Sequence, residues 1–324
     1  MIMSDDRPVR GSTPDPAATT DDVLAGRNLS GCRVLITGAS SGLGVETVRA
    51  LAGHGADLVA AVRDPAKTGA NLSAAGVPAG HVTVREVDLA SLESIRALTD
   101  AVGAEGLRFD VIIANAGVMA CPQGRTLDGF ETQFGTNHLG HFLLVNRLAQ
   151  LIRDGGRVVV LSSAGHRHGD VDLQDPNFAS QPYHPWLAYG RSKTANALFA
   201  VDFDRRHRNR GIRGVAVHPG AIATELNRHL TAETIAMLRT ARASRPRIAL
   251  KSVSAGAATT AWAVVADGDE VGGRYCEDCA VSPVITDPDE SRGVMAYAVD
   301  PARAEALAEL SAELVGEQFA GWHG

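Results

Sequence analysis

The sequence contains few cysteines, no long apolar run and no excess of basic residues. Four cysteines scattered over 324 residues exclude a disulfide-stapled scaffold and favour a reducing compartment. The longest informative apolar stretch, residues 109–119, is interrupted by Asp110 and Asn115, so no transmembrane helix is expected. With 31 basic against 37 acidic residues, the formal charge of −6 offers no basic stripe for nucleic acid. Small-molecule chemistry is therefore the default class of function.

The amino terminus also lacks the features of a targeting segment. It has no basic stretch followed by an apolar one, and it includes the acidic Asp5 and Asp6, so we expect a cytoplasmic protein. Residues 1–30 are rich in Asp, Pro, Thr, Ser and Gly, with hardly a bulky apolar side chain. We therefore expect a disordered tail over 1–30, followed by a single catalytic domain over 31–324.

Short runs rich in Val and Ile alternate with longer segments of helical periodicity. The predicted strands are residues 34–37, 58–62, 82–87, 111–114, 158–161 and 215–218. The predicted helices are residues 43–54, 92–102, 130–152, 192–203 and 302–319. This rhythm indicates βαβ units with right-handed crossovers, and so an α/β fold with a doubly wound parallel sheet of the Rossmann type.

Residues 221–252 interrupt the alternation with an amphipathic stretch, 226–242, and the basic run Ser244-Arg-Pro-Arg247. Segments that leave the carboxyl ends of parallel strands line the ligand crevice, so we interpret this region as a helical insertion on the substrate side. The alternative is a surface helical hairpin with no role in binding.

A glycine-rich turn lies between the first predicted strand and the first helix. Its G-x-x-x-G-x-G spacing allows close backbone approach, and the free amides of the following helix can bind a pyrophosphate. The candidate cofactor contacts in this turn are Gly38, Ser40, Ser41, Gly42, Leu43 and Gly44. The same letters match the G-x-S-x-G nucleophile elbow of hydrolases, but an elbow needs earlier strands and only the polar tail precedes this one.

Three further strand ends face the same edge of the predicted sheet. Asp88-Leu89 follows the third strand and Asn115-Ala116-Gly117 follows the fourth, where both would meet a cofactor. At the end of the second strand, where an acid would bind the ribose hydroxyls of NAD, the residue is Arg63. An arginine suits the 2′-phosphate of NADP, although the acidic Asp64 follows directly.

Tyr189 and Lys193 are spaced i,i+4 at the start of a predicted helix, which places them on one face. There the ammonium can stabilise the phenolate and lower the pKa of the phenol toward working pH, making Tyr189 a plausible proton donor or acceptor. Such a pair alone is weak evidence for catalysis, because an exposed Tyr and Lys on a helix are usually structural.

The combination of motifs resembles the short-chain dehydrogenase/reductase family over residues 31–280. The matching residues, in the family's order, are Thr37-Gly-x-x-x-Gly-x-Gly44, Asp88, Asn115-Ala-Gly117, Asn137, Ser163, Tyr189-x-x-x-Lys193 and Pro219-Gly220. The Ser162-Ser-Ala-Gly-His166 run and the long segment before Tyr189 are similar to the retinol dehydrogenase/protochlorophyllide reductase branch. That branch favours NADP and lipophilic carbonyl or alcohol substrates, in agreement with Arg63.

The resemblance implies a role for each matching residue. Tyr189 would exchange the proton, and Lys193 would lower its pKa and hold the nicotinamide ribose. Ser163 would hydrogen-bond the substrate oxygen, with Ser162 as the alternative serine, and Asn137 would order a water that relays protons to Lys193. The remaining cofactor contacts implied after the sixth strand are Pro219, Gly220 and Thr224.

Three other features are interpreted as structural. The pair His166 and His168 has no neighbouring acid or cysteine to complete a metal site, so no metal is expected. Cys276 and Cys279 have the C-x-x-C spacing without a second pair, which leaves redox activity as a minor alternative. The C-terminal helix has helically spaced apolar residues that indicate packed core, with support of a homodimer as the alternative.

The sequence therefore predicts an NADP(H)-dependent oxidoreductase acting on an alcohol or carbonyl of a moderately lipophilic small molecule. One rival is a nucleotide-binding sensor or interaction protein without redox turnover, which would not need the four catalytic candidates together. A second is an enzyme that uses the bound nicotinamide for an epimerisation or cyclisation.

Overall fold

The computed structural model describes residues 13–222 and 250–319, and its centre is an eight-stranded sheet in the order β3-β2-β1-β4-β5-β6-β7-β8. Its strands are β1 Arg33–Thr37, β2 Asp57–Val62, β3 Val82–Glu86, β4 Phe109–Ala114, β5 Ile152–Leu161, β6 Arg213–His218, β7 Tyr275–Glu277 and β8 Ala280–Val281. Every pairing from β3 to β7 is parallel, and β8 closes the edge antiparallel to β7. The predicted doubly wound α/β fold is confirmed, and the strand order reverses between β1 and β4.

Helices cover both faces of the sheet. Their bounds are α1 Thr20–Leu24, α2 Gly42–Gly53, α3 Pro65–Ala74, α4 Leu92–Ala104, α5 Thr132–Phe134, α6 Gly140–Leu148, α7 Pro185–His207, α8 Val253–Val265, α9 Gly268–Val271 and α10 Pro301–Val315. Alternate residues of β1 divide between two cores, because successive side chains of a strand point to opposite faces. Leu35 packs with α4, α6 and α7, whereas Val34 and Ile36 pack with α1, α2 and α8.

The expected disordered tail over 1–30 is wrong for its second half. Thr19 caps helix α1 through its side chain, and Leu24 and Leu29 are 0% and 1% exposed in the core beside α2 and α8. These two leucines provide the apolar burial that offsets the entropy of ordering the segment. Residues 1–12 lie outside the described part of the chain.

The predicted helix over 130–152 is divided in the structure. A π-helical turn, Gly135–Leu139, separates α5 from α6, and Asn137 lies in the middle of that turn. Gly140, at the start of α6, packs so closely on the carbonyl oxygen of Leu89 that a Cβ would clash there. Because π turns widen the helix by one residue, this one changes which backbone groups near Asn137 are paired within the helix.

Two short strands, β9 Val284–Ile285 and β10 Val294–Met295, form a separate parallel pair before the C-terminal helix. Helix α10 buries Leu307, Ala312 and Val315 in the core beside α7, which confirms its interpretation as packed core. Within the described ranges, no helix has both the length and the apolarity needed to cross a membrane.

Most of the predicted insertion over 221–252 lies outside the described residues, as does the candidate Thr224. The two chain ends that flank residues 223–249 are joined in the structure. Ile222 pairs in parallel with Lys251, and the Lys251 amide donates a hydrogen bond of 2.9 Å to the Ala221 carbonyl.

Candidate active site

The glycine-rich turn folds tightly against the ends of β1 and β4. Gly38 has a φ of +69°, and a Cβ on it would lie 2.7 Å from the Cα of Ala116. A Cβ on Gly44 would clash with the carbonyl oxygen of Gly38 and lie 2.9 Å from the side-chain Nδ2 of Asn115. That Nδ2 donates to the carbonyls of Thr37 and Gly38 at 2.8 and 3.1 Å. The turn therefore has room only for glycine at these positions, and Asn115 fixes its path.

The first turn of α2 faces this region with its backbone amides unoccupied by a cap. The N-cap residue Ser41 makes no side-chain hydrogen bond to the helix, unlike the caps of α1, α3 and α4. Asn71 of α3 donates from its side chain to the carbonyl of Ser40 at 2.7 Å and holds the turn from the outside. A free helix N-terminus beside a close-packed glycine turn fits a pyrophosphate group.

At the end of β2, the structure separates the roles of two adjacent charged residues. Asp64 is the N-cap of α3, and its carboxylate accepts a hydrogen bond of 2.9 Å from the Lys67 backbone amide. The Arg63 side chain is exposed at the same strand end. Asp64, the acid that could have bound ribose hydroxyls, is thus turned back onto α3, and the exposed cation at the end of β2 is Arg63.

The remaining cofactor candidates contribute mainly backbone and packing. The Asp88 side chain accepts from the Ala90 amide at 2.9 Å, and Leu89 is buried at 7% exposure beneath Gly140. At Gly220, φ is +90° and the nearest side chain is that of Lys251. Pro219 follows directly after β6, at the carboxyl edge of the sheet.

Of the two adjacent serines, Ser163 faces the tyrosine. Its hydroxyl lies near enough to the Tyr189 phenol to act on the pKa of that phenol, and it accepts from the Gly165 amide at 3.0 Å. Ser162 points into the protein and donates to the Lys193 carbonyl at 2.7 Å. Gly165 packs on the tyrosine ring, and a Cβ there would lie 2.7 Å from the ring carbon Cε1. Ser163 and Tyr189 are therefore fixed side by side.

Lys193 lies one helical turn after Tyr189, with its Nζ 5.8 Å from the centroid of the tyrosine ring and 3.0 Å from the Leu161 carbonyl, to which it donates. Burial lowers the pKa of Lys193 to about 8. Burial also raises the pKa of Tyr189 to about 12, with the Ser163 hydrogen bond acting in the opposite direction. Burial therefore decides the direction of the shift in the free protein, and the lowering expected from Lys193 stays a prediction.

Asn137 is fully buried, and its side-chain amide binds the backbone of Val118 and the hydroxyl of Ser192. Its Nδ2 donates to the Val118 carbonyl and to the Ser192 hydroxyl, both at 2.9 Å, and its Oδ1 accepts from the Val118 amide at 2.8 Å. The chain is therefore fixed just after Gly117. A Cβ on Gly117 would lie 3.2 Å from Asn137 Oδ1 and 3.5 Å from Lys193 Nζ, so this glycine keeps the approach to the lysine open.

An apolar wall beside Tyr189 was not predicted. Met119, Ala120 and Trp186 pack with the tyrosine, and Ala120 has a φ of +49°. The fully buried Gln133 ties this wall together, as its Oε1 accepts from the Ala120 amide at 2.8 Å. Its Nε2 donates to the Tyr183 hydroxyl and the Pro185 carbonyl, both at 2.9 Å. No local pattern marks this glutamine in the sequence, because its neighbours Glu131 and Thr132 are also polar.

The long segment before α7 is ordered against the helix. Asp175 accepts from the Ala179 and Ser180 amides at 2.6 and 2.9 Å. Phe178, with a φ of +52°, is buried beneath the guanidinium of Arg191, whose carbon lies 4.8 Å from the ring centroid. This loop is thereby held next to Tyr183 and the start of α7, where Trp186 lies.

Of the histidine and cysteine features set aside in the sequence, His166, Cys276 and Cys279 are buried and His168 is exposed. His166 is buried, with Nδ1 2.7 Å from the Ser163 carbonyl and Nε2 accepting from the Met295 amide. In the described part of the chain, no group of three or more His, Cys, Asp or Glu could hold a metal ion. Burial raises the pKa of both the Cys276 and Cys279 thiols, which disfavours the reactive thiolate.

Comparison with known proteins gives a consistent set of similarities. A family model described as short chain dehydrogenase matches residues 33–235. A Streptomyces lividans protein named "Probable oxidoreductase" is 40% identical over 298 residues, covering 88% of this chain and 98% of that protein. Retinol dehydrogenase 12 of Mus musculus is 37% identical over 291 residues, covering 88% and 87%. A solved structure of an uncharacterized protein from Mycobacterium paratuberculosis is 36% identical with a TM-score of 0.73, covering 94% and 99%.

Proposed function

Because this chain belongs to the short-chain dehydrogenase/reductase family, in its retinol dehydrogenase-like branch, we propose that it is an NADP(H)-dependent oxidoreductase of a moderately lipophilic carbonyl or alcohol. The observation that carries the proposal is the convergence of Ser163, Tyr189 and Lys193 at one edge of the sheet, beside the open backbone of Gly117. A protein that only senses a nucleotide has no need for this proton-transfer arrangement.

The residues at the sheet edge fit a nicotinamide dinucleotide. The uncapped amides of α2 would bind the pyrophosphate, and Gly117 leaves room for the nicotinamide ribose beside Lys193. When bound, the cofactor supplies or accepts the hydride at the substrate carbon. Arg63 supports the choice of NADP, since a guanidinium binds the 2′-phosphate while Asp64 is occupied as a helix cap.

On the substrate side, Ser163 would donate a hydrogen bond to the carbonyl oxygen, and Tyr189 would donate the proton that turns this oxygen into a hydroxyl. With its pKa raised to about 12, Tyr189 is protonated at neutral pH and is ready to act as an acid. The apolar wall of Met119, Ala120 and Trp186 suits a lipophilic substrate body next to the polar oxygen.

NADPH oxidation with a panel of aldehydes and ketones of increasing chain length tests the proposal. At least one carbonyl should be reduced, with NADPH preferred over NADH. Ser163→Ala should lower turnover with little change in NADPH affinity, and the matched control Ser162→Ala should do less because that hydroxyl faces the protein interior. NADPH binding without reduction of any panel member would favour the sensor, and a redox-neutral change of substrate would favour an epimerase.

A further inference from the structure

His141 connects the two parts of the site through both nitrogens of its ring. It lies in the first turn of α6 and is 0% exposed. Its Nε2 is 2.8 Å from the Thr37 hydroxyl at the end of β1, and its Nδ1 is 2.9 Å from the Asn137 carbonyl in the π turn. One side chain therefore spans the distance between the glycine-rich turn and the element that carries Asn137.

The hydrogen bonds around Thr37 fix the direction of every bond in this chain of contacts. The Thr37 hydroxyl accepts from the backbone amides of Asn115 and Ala116, both at 3.0 Å. A hydroxyl has one proton and two lone pairs, so the proton of Thr37 must go to Nε2 of His141. The ring proton is then on Nδ1 and is donated to the Asn137 carbonyl. Burial lowers the pKa of His141 to about 4, so the ring stays neutral in this arrangement at neutral pH.

We propose that His141 is a positioning residue that couples the glycine-rich turn to the Asn137 turn, an inference that rests on the proposed function. By taking the only proton of Thr37, it keeps that oxygen available to hold Asn115 and Ala116 in front of Gly38. By donating to the Asn137 carbonyl, it fixes the π turn from which the Asn137 side chain binds the backbone of Val118. Gly117 lies between Ala116, which Thr37 holds, and Val118, which Asn137 holds, so its backbone is fixed from both sides.

His138 offers a matched comparison within the same π turn. It is 1% exposed, and its Nε2 lies 2.8 Å from the Ser311 hydroxyl of α10, on the side away from the site. Its ring packs among Phe134, Phe142 and Phe199. Loss of either histidine removes a buried ring and a hydrogen bond, but only the loss of His141 breaks a path that ends at the cofactor turn.

Two substitutions of His141 separate its two contacts. An asparagine amide reaches about as far as Nδ1, so His141→Asn keeps the donor to Asn137 and loses Thr37. A glutamine amide reaches about as far as Nε2, so His141→Gln keeps the acceptor for Thr37 and loses Asn137. We expect His141→Asn to raise the NADPH dissociation constant about tenfold, and His141→Gln to lower kcat about tenfold with nearly native NADPH affinity, the scale of one lost buried hydrogen bond.

The experiment is NADPH fluorescence titration, turnover with a carbonyl that the native protein reduces, and thermal melting, on both His141 variants and His138→Asn. An asparagine at 138 does not reach Ser311, so His138→Asn loses the ring and its hydrogen bond. It should lower the melting temperature while leaving NADPH affinity and kcat within about twofold of the native values, less than the loss of a buried hydrogen bond in the site would cause. If the His141 variants behave the same way, His141 is only a core residue and the proposal is overturned.

Thr37→Val keeps the test decisive if the His141 variants do not fold. It removes the hydroxyl that His141 binds, so it should raise the NADPH dissociation constant as His141→Asn does. Thr37→Ser keeps a hydroxyl and should have nearly native NADPH affinity. Native affinity in Thr37→Val would contradict the proposal. If the native protein binds NADPH but reduces no carbonyl, the proposed function fails on its own, while the binding measurements still decide the Thr37 contact.

Discussion

The cofactor side and the substrate side of this sheet edge are built from different kinds of contact. On the cofactor side, backbone groups and glycines of a few short motifs pack on each other, as in the contact of Gly38 with Ala116. On the substrate side, buried side chains join segments far apart in the chain, as when Gln133 links Ala120 to Pro185. Backbone packing on the cofactor side specifies a shape that accepts one class of ligand. On the substrate side, an exchange of side chains can change which ligand is bound.

The sharpest way to break the cofactor side is Gly44→Ala. Its Cβ would clash with the Gly38 carbonyl, so the turn must shift and NADPH affinity should fall by about 100-fold or more, the scale expected for a displacement of about 1 Å in a binding site. Gly53→Ala, at the other end of α2, meets nothing within 4 Å and is the matched control. Equal NADPH affinity in the two variants, measured by fluorescence titration, would remove the turn from the cofactor site.

Arg63→Ala tests the nucleotide preference within the cofactor side. Loss of the guanidinium should weaken NADPH binding by about 1.5–3 kcal/mol, or roughly 10- to 150-fold, and NADH binding much less. The contrast between the two cofactors, measured by calorimetry, is the informative result. Equal weakening of both, or a native preference for NADH, would show that Arg63 does not read the 2′-phosphate.

Gln133→Met tests the substrate side without touching the cofactor. The substitution keeps the volume but leaves the Ala120 amide and the Pro185 carbonyl without their partner, which should destabilise the fold by about 1–3 kcal/mol. Because the apolar wall shifts, KM for long-chain carbonyls should rise several-fold while NADPH affinity stays native. The exposed Gln150→Met is the control for thermal melting. Unchanged KM values along the chain-length series would remove this wall from the substrate site.

The smallest expected effect concerns Lys193, where the two sides meet. Since burial lowers the pKa of Lys193 to about 8, its charge is present below that pH and is lost as pH rises through it. NADPH affinity should therefore decline by a small factor between pH 7 and pH 9, because the neutral amine still donates hydrogen bonds but no longer attracts the anionic cofactor. Lys193→Met should abolish this dependence. The same decline in that variant would assign the titration to another group.

The sequence was most informative where local pattern and local structure coincide. The six strand predictions each overlap a strand of the sheet, because Val- and Ile-rich runs are typical of parallel strands, which are buried here in every case but the edge strand β3. Helix α3 is absent from the predicted helices, although Asp64 followed by Pro65 is a helix start signal. Helix α1 was missed because its burial depends on α8, more than 200 residues later in the chain.

For the site, the sequence predicted residues that the structure brings together, but it did not predict their electrostatics. The pairing of Tyr189 with Lys193 follows from helical spacing, whereas the raised pKa of the phenol follows from burial by Met119, Ala120 and Trp186, which no local pattern contains. The alternation of side chains along a strand predicted that only one of Ser162 and Ser163 faces the site. Which of them does so depends on the packing of Gly165 against the tyrosine ring.

The most direct test of the central claim is the NADPH affinity and the turnover of Tyr189→Phe, measured on the same sample. Phenylalanine keeps the ring and its packing but removes the only atom there that can give a proton to the substrate. NADPH affinity should stay native, and turnover should fall by roughly 10²–10⁴, the range of general acid–base catalysis. Turnover close to native, with a carbonyl that the native protein reduces, would contradict the assignment of Tyr189 as the proton donor.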